Sequence, residues 1–279
     1  MKQFINWRQA IPTLCTIAAM LAGFISILVA IEGMQAMQGM QAADPERCRH
    51  LFRLSAMLIM LSMILDGFDG NLARWLKGTS TFGAELDTYV DLTAFGIAPA
   101  ILIFAVALQQ KDPMWRLLLP SAVALSGMVR LARFKVKDPL RGQGGYAGLP
   151  ITANAGWVSM FVFISQTPPL PGATRDIFSL QEGWFASMFL IGTMCFILLQ
   201  VSNFRYPKPT KKPILFIPCV VLVILLFVPK RWLSLSAAFT SLILGVVYIF
   251  LGPLMVKGAE AHKAWKESRL SDFDESLPE

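Results

Sequence analysis

The chain has 279 residues, of which 55% are hydrophobic and 15% are charged, and its mean hydropathy is +0.56. This composition excludes an ordinary soluble domain and is typical of a protein that crosses a membrane several times. The formal net charge of +7 does not indicate a nucleic-acid partner, because most basic residues fall on one predicted side of the membrane.

Apolar stretches of about 20 residues, the length that crosses a bilayer as a helix, recur along the chain. The sequence therefore predicts an all-α polytopic membrane protein. Residues 1–10 mix aromatic, apolar and basic side chains, which predicts a short interfacial helix. The connections 33–50 and 166–183 are predicted to be external loops. The eight expected membrane helices lie at about 11–32, 51–74, 84–108, 114–134, 148–165, 184–204, 213–229 and 232–256.

The orientation follows from the basic residues. With the N-terminus in the cytoplasm, 17 of the 25 lysines and arginines fall in cytoplasmic segments, as the positive-inside rule requires. We therefore expect a multi-pass protein of the cell (inner) membrane. The four cysteines are scattered without metal or redox spacing, and the three that lie within apolar stretches are interpreted as small packing residues.

Four aspartates lie on the second and third predicted helices, where a membrane helix normally avoids charge. Asp66 and Asp69 are three residues apart, and Asp87 and Asp91 are four apart, so each pair shares one helix face. The short connection 75–82 makes these helices antiparallel neighbours, so both faces can turn toward one cavity on the cytoplasmic side. Carboxylates without His or Cys favour Mg²⁺, Mn²⁺ or Ca²⁺ over zinc or copper.

Small residues share the helix face of the first two aspartates. Gly67, Gly70 and Ala73 leave that face bare, so a bulky ligand can approach the backbone, and Arg74 can meet a phosphate or a carboxylate. Intramembrane aspartates also mark ion pathways, which leaves a cation transporter as an alternative. A transporter predicts carboxylates spread through the membrane, whereas these four lie within 26 residues.

The complete pattern is Asp, two residues, Asp-Gly, two residues, Ala-Arg, eight residues, Gly, three residues, Asp, three residues, Asp. It resembles the signature of the CDP-alcohol phosphotransferases, integral membrane enzymes that make phospholipids. The residues that carry it are Asp66, Asp69, Gly70, Ala73, Arg74, Gly83, Asp87 and Asp91.

The resemblance implies roles for these residues. Asp66, Asp69 and Asp87 would bind a pair of divalent ions, Mg²⁺ or Mn²⁺ with Ca²⁺ as a third candidate, and Asp91 would complete the metal site and act as general base. The CDP-diacylglycerol donor would be contacted by Gly70, Ala73, Arg74, Gly83, Thr13 and Thr16. For the two threonines an ordinary helix start, with Pro12 in its first turn, is the alternative.

The end of the fourth predicted helix carries Arg130 and Arg133, which are three residues apart and share a face. Arginine forks suit phosphate and carboxylate, although a headgroup anchor is the alternative. The run 129–134, followed by a polar loop and by Tyr146 to Pro150, resembles the phosphatidylserine synthase branch, as does the segment 203–208.

This branch implies transfer of the phosphatidyl group from CDP-diacylglycerol to L-serine, giving phosphatidylserine and CMP. Arg130 and Arg133 would then hold phosphate or the serine carboxylate. Thr152 and Asn154 depart from the branch, where Pro and Ala are frequent. They leave glycerol phosphate, inositol phosphate and choline open as acceptors.

The resemblance covers about residues 8–212, which predicts three parts of the chain. Residues 1–212 would form a six-helix catalytic core, residues 213–256 two additional membrane helices, and residues 257–279 a cytoplasmic tail with a short helix. Pro99 is expected to kink the third helix. The resemblance also implies a homodimer surrounded by membrane lipids.

Overall fold

The structure is a computed structural model, and it describes residues 7–38, 44–137, 146–168, 177–206 and 213–274. This part of the chain is almost entirely helical, which confirms the predicted all-α class. Two short antiparallel strands, β1 (Tyr146–Ala147) and β2 (Arg205–Tyr206), pair near the ends of helices. The helices are α1 (Trp7–Gln38), α2 (Pro45–Trp75), α3 (Thr81–Val106), α4 (Pro113–Lys137), α5 (Ile151–Gln166), α6 (Gly183–Val201), α7 (Pro213–Leu226) and α8 (Arg231–Asp274).

Six of the described helices, α1 to α4, α6 and α8, are long and apolar enough to cross a membrane. The other two are shorter, because α5 has 16 residues and α7 has 14. At 1.5 Å per residue they reach about 24 Å and about 21 Å, less than the roughly 30 Å of a hydrocarbon core. The expectation that all eight helices are full-length spans is therefore not met by α5 and α7.

Helix α5 lies at the centre of the bundle, where it packs against α2, α3, α6 and α8. Its Trp157 ring lies 4.4 Å from the Phe161 ring and 5.0 Å from the Phe196 ring of α6, between centroids. Gly192 of α6 makes room for it, since a Cβ there would overlap the indole. A helix enclosed by protein in this way does not need the length of a lipid-facing span.

Helices α1 and α2 pack along most of their lengths and are joined by buried serines. Ser26 and Ser55 each donate to the other's carbonyl oxygen at 3.0 Å, and Ser62 donates to the carbonyl of Ala19 at 2.7 Å. Small residues allow close approach of membrane helices, and hydroxyl bonds between them stabilise the pair by roughly 0.6–2 kcal/mol each. This pairing fixes α1 against the helix that carries the first two aspartates.

The prediction of an external loop over residues 33–50 is wrong for most of that range. Residues 33–38 continue α1 and residues 45–50 begin α2. The Asp44 side chain caps α2 by accepting hydrogen bonds from the backbone N–H groups of Glu46 and Arg47, at 3.1 and 3.2 Å. Pro45 lies in the first turn of the helix. An aspartate cap followed by proline starts a helix efficiently, so α2 begins earlier than its hydropathy indicated.

The two ends of the chain also differ from expectation. Residues 7–10 form the first turn of α1 instead of a separate interfacial helix, and residues 1–6 lie outside the described residues. Helix α8 runs unbroken to Asp274. Residues 257–274 of the predicted tail therefore extend the last membrane helix, while residues 275–279 lie outside the described part.

The third helix is distorted beside its aspartates. It is α-helical over Thr81–Val90, becomes a π-helix over Asp91–Ile97, and returns to α-helix over Ala98–Val106. Pro99 is the second residue of the α-helix that follows the π-helix, and it has no N–H to donate to a carbonyl of the preceding turn. The irregularity expected from Pro99 is thus a wide π turn that begins at Asp91, the kind of turn that often occurs at functional sites.

Candidate functional site

Three of the four aspartates converge. Asp66 and Asp69 on α2 and Asp87 on α3 each offer a carboxylate oxygen, and these oxygens lie within 4.8 Å of one another. The convergence arises because α2 remains a regular helix through Trp75 and because residues 76–80 return the chain directly into α3. Among the described residues, this is the group of acidic, His or Cys side chains that is spaced for a metal ion.

Asp91 lies one turn further along α3, beside this group but outside it. It interacts electrostatically with Asp87 and with the Arg130 guanidinium of α4. It is the first residue of the π-helix, and its backbone N–H still bonds to the carbonyl of Asp87 one turn earlier. Its roles as metal ligand and as base stay predictions.

Thr16 fixes the orientation of Asp69. Its hydroxyl donates to Oδ2 of Asp69 at 2.5 Å and also to the carbonyl of Pro12 at 3.1 Å, and the Thr16 side chain is buried. The neighbouring Cys15 thiol donates to the carbonyl of Leu65 at 3.3 Å. The predicted contact of Thr16 with the nucleotide stays a prediction, and the structure shows its hydroxyl on the Asp69 carboxylate.

The three carboxylates fit a hard divalent cation. Oδ1 of Asp66 is buried and has no hydrogen-bond partner among the described residues. A buried carboxylate oxygen without a partner is costly, and a bound cation would remove that cost. A donor set made only of carboxylates matches Mg²⁺, Mn²⁺ or Ca²⁺.

The small residues of the motif leave space next to the carboxylates. Gly70 is exposed, and a Cβ placed on it would meet nothing within 4 Å. A Cβ on Gly83 would stand 3.9 Å from the Thr13 hydroxyl, so α1 and the start of α3 adjoin there. The backbone of α2 is therefore open at Gly70, and the predicted contact of Gly70 and Ala73 with a ligand stays a prediction.

Two residues that the sequence analysis missed hold this region in place. Ser80 caps α3 by accepting a hydrogen bond from the N–H of Gly83 at 3.0 Å. Asn71 donates to the carbonyl of Gly67 at 2.8 Å and accepts from Arg74 at 2.8 Å. A serine just before a helix is a recognisable cap signal, whereas the Asn71 bridge has no sequence signature.

The two arginines of α4 point to different neighbours. Arg130 is buried and lies near Asp91. Arg133 donates to the Val201 carbonyl at the end of α6 and, at 2.6 Å, to Oδ1 of Asn203. Only Arg130 is therefore placed beside the carboxylates, while Arg133 ties α4 to the segment that leads into β2.

Comparison with known proteins gives a consistent result. A family model described as CDP-alcohol phosphatidyltransferase matches residues 9–175. A Helicobacter pylori protein named CDP-diacylglycerol–serine O-phosphatidyltransferase is 29% identical over 251 residues, which cover 88% of this chain and 94% of that protein. Proteins with the same name from Bacillus subtilis and Methanocaldococcus jannaschii are 30% and 34% identical, and the matches cover 77% and 69% of their lengths and 57% and 59% of this chain.

Proposed function

Because the chain belongs to the CDP-alcohol phosphatidyltransferase family, a family of transferases, we propose that it moves the phosphatidyl group of CDP-diacylglycerol to L-serine. The products are phosphatidylserine and CMP. The choice of serine rests on the names of the H. pylori, B. subtilis and M. jannaschii relatives. The choice of a cytidine diphosphate donor rests on the family.

The observation that carries the proposal is the convergence of Asp66, Asp69 and Asp87 from two helices. These residues would hold a pair of Mg²⁺ or Mn²⁺ ions, which would neutralise the diphosphate and stabilise charge on the departing CMP. Thr16 keeps Asp69 in the orientation that such a site needs. A cluster confined to one end of two helices favours this enzyme over the cation transporter.

Asp91 is assigned the role of general base. It accepts the proton of the serine hydroxyl as that oxygen attacks the phosphorus attached to diacylglycerol. A new oxygen–phosphorus bond forms, and the bond from this phosphorus to the bridging oxygen of the diphosphate breaks, so that CMP leaves with the bridging oxygen. Arg130, beside Asp91, holds the phosphate or the serine carboxylate through its charged fork.

The donor is assigned to the open face of α2. Gly70 and Ala73 leave room for the cytidine diphosphate, Arg74 pairs with a phosphate, and Thr13 with Gly83 closes the other side. Arg133 is assigned a positioning role, because it binds the end of α6.

We also propose that the site faces the cytoplasm and that the protein is a homodimer. Cross-linking in membranes that yields only monomer would contradict the dimer.

The experiment that tests the function is an acceptor panel. Purified protein is incubated with CDP-diacylglycerol and Mn²⁺ or Mg²⁺ in four parallel reactions. Each reaction contains one acceptor: serine, glycerol phosphate, inositol phosphate or choline. We expect phosphatidylserine, identified by its mass, and an equal amount of CMP with serine alone. If a different alcohol gave the lipid product, that alcohol would replace serine as the proposed acceptor. If none of the alcohols gave a lipid product, the proposed transferase activity would be refuted.

A further inference from the structure

A second cavity lies at the end of α2 opposite the aspartates. It has a volume of about 240 Å³ and lies between the first turns of α2 and the end of α5. Arg53 at this cavity and Asp66 at the metal site are 13 residues apart, about 20 Å at 1.5 Å per residue, so the two sites are separate. The residues that line the cavity are Glu46, Arg49, His50, Arg53, Gln166 and Pro168.

Helix periodicity explains why α2 turns a basic face to this cavity. Its four lining residues are spaced i, i+3, i+4 and i+7, so their side chains share one stripe of the helix. The neighbouring stripe packs on α1, where the buried ring of Phe52 lies 2.7 Å from the position of a Cβ on Gly33. Two arginines and a histidine are therefore left to face one concave surface.

The positive charge of Arg53 is not neutralised by the described part of the chain. The acidic residue of the cavity, Glu46, has its carboxylate 3.8 Å from the Arg49 guanidinium. Arg53 is partly buried and makes neither a hydrogen bond nor an ion pair with any residue of the described ranges. A partly buried charge without a counter-charge is costly, so an anion in the cavity would be stabilising.

The end of α5 does not supply the missing acceptor. The Ser165 hydroxyl donates to the Val162 carbonyl at 2.9 Å, and the Thr167 hydroxyl donates to the Phe163 carbonyl at 2.7 Å. The Thr167 N–H donates to the Ile164 carbonyl at 3.3 Å. Three carbonyls near the end of α5 are thus already bonded to groups of the same segment.

The chemistry of the lining indicates a phosphate group. Guanidinium forks four residues apart, with an imidazole between them, present N–H donors that match phosphate oxygens. The cavity is smaller than the roughly 300–1,000 Å³ of sites for drug-sized ligands, so it suits a headgroup and not a whole lipid. The apolar stretch of α2 begins directly after Arg53, which places this guanidinium at the level of lipid headgroups.

We propose that this cavity binds the phosphate group of a membrane phospholipid, in the leaflet opposite the aspartates. Arg53 donates its fork to the phosphate oxygens, and Arg49 and His50 add donors from the same helix face. Free inorganic phosphate carries the same oxygens, so the test distinguishes the two sources. The inference goes beyond the proposed function, because no residue of this cavity belongs to the proposed catalytic site.

The test is native mass spectrometry of the delipidated full chain, titrated with dioleoyl phosphatidylglycerol. We expect the dissociation constant of the first bound lipid to be about tenfold higher, or more, in Arg53→Gln than in the wild type. Dioleoylglycerol has the same acyl chains without the phosphate, and it should bind the two proteins equally. If its binding also fell in Arg53→Gln by the same factor, recognition of a phosphate would be overturned.

Arg47→Gln is the matched control. Arg47 is in the same part of α2, but its guanidinium pairs with Glu32 of α1 at 3.0 Å and does not line this cavity. The substitution removes the same charge, and we expect the lipid dissociation constant to stay within twofold of the wild type. An equal loss of affinity in Arg47→Gln and Arg53→Gln would overturn the inference by showing a general effect of surface charge.

Arg53→Lys is a second variant, for the case that Arg53→Gln does not fold. It keeps the charge and loses the fork, so we expect affinity between that of Arg53→Gln and that of the wild type. Wild-type affinity in both Arg53 variants, or in Arg53→Lys alone if Arg53→Gln does not fold, would overturn the site.

Inorganic phosphate in large excess separates the two sources. We expect the lipid to stay bound to the wild type, because its acyl chains add contacts that the free ion lacks. Displacement of the lipid by phosphate, combined with weaker phosphate binding in Arg53→Gln, would support the phosphate site and overturn the lipid as its source.

Discussion

Thr16 and Asp69 are 53 positions apart in the chain, yet their side chains share one of the shortest hydrogen bonds of the site, at 2.5 Å. Such bonds fix a carboxylate in one rotamer and leave its second oxygen for a metal. The ordered position of Asp69 therefore depends on α1, which carries no acidic residue of the motif. This makes Thr16 a positioning residue of the proposed metal site.

Replacing Thr16 by valine tests this role. Valine has the shape of threonine without the donor, so Asp69 would lose its orientation while packing is kept. We expect the Mn²⁺ concentration for half-maximal CMP formation to rise about 10- to 100-fold, and Thr16→Ser to restore it. Thr193→Val, which removes a buried hydroxyl bonded within α6, is the control and should behave as the wild type.

Asp91→Asn tests the assignment of the base. An amide of the same size cannot take up the hydroxyl proton, so we expect CMP release to fall by about 10²- to 10⁴-fold with binding of CDP-diacylglycerol retained. Near wild-type release would remove Asp91 from this role. Asp112→Asn, at the start of α4 where the side chain caps the helix, carries the same loss of charge and should stay active.

The sequence was informative where helix periodicity alone decides the geometry. The spacings of Asp66, Asp69, Asp87 and Asp91 predicted one converging set of four carboxylates, and the structure brings the first three of them together. The Thr16 bond and the divergence of Arg133 from Arg130 could not be predicted, because both depend on which helices meet. A pattern in one segment does not contain that information.

At the scale of elements, the connection between α2 and α3 decides whether the two carboxylate faces meet. Gly78 in this connection lies against α1, and a Cβ on it would overlap the carbonyl oxygen of Arg8. Lys77 has a positive φ of 50°, and Ser80 then caps α3. The backbone turn at Lys77, the close contact at Gly78 and the cap at Ser80 together hold this connection against the start of α1.

Gly78→Ala and Gly70→Ala form a matched pair of substitutions. Alanine at Gly78 must displace backbone, so we expect a loss of roughly 1–3 kcal/mol, seen as a Tm several degrees lower. Alanine at Gly70 meets nothing within 4 Å, so its Tm should be unchanged while KM for CDP-diacylglycerol rises. An equal Tm for the two variants would contradict the close contact at Gly78.

Helix existence was predictable, and helix detail was less so. Each predicted apolar stretch corresponds to a helix, because burial of apolar surface and internal backbone pairing both require it. The loop 33–50 was misjudged because its polar and small residues can also extend a helix beyond the membrane. The π turn at Asp91 was seen only as a proline effect, since hydropathy does not report the hydrogen-bond register.

At the scale of the whole molecule, the short helix α5 organises the bundle. It separates α2 from α6 and contacts α3 and α8, so it links the last helix of the chain to the helices that carry the aspartates. Tyr248 of α8 packs its ring 5.9 Å from that of Tyr206 in β2, between centroids. The central place of α5 was not predictable, because a buried short helix and a weak membrane span have the same apolar pattern.

The proposed reaction requires that carboxylates from two helices bind divalent ions together. The direct test is the binding of Mn²⁺ to metal-stripped purified protein. Binding is measured as the decrease in the paramagnetic resonance signal of free Mn²⁺. We expect saturable binding by the wild type, its loss in both Asp66→Asn and Asp87→Asn, and its retention in the charge-matched variants Asp44→Asn and Asp112→Asn. If Asp66→Asn and Asp87→Asn bound Mn²⁺ as tightly as the wild type, the result would contradict a metal site shared by the two helices.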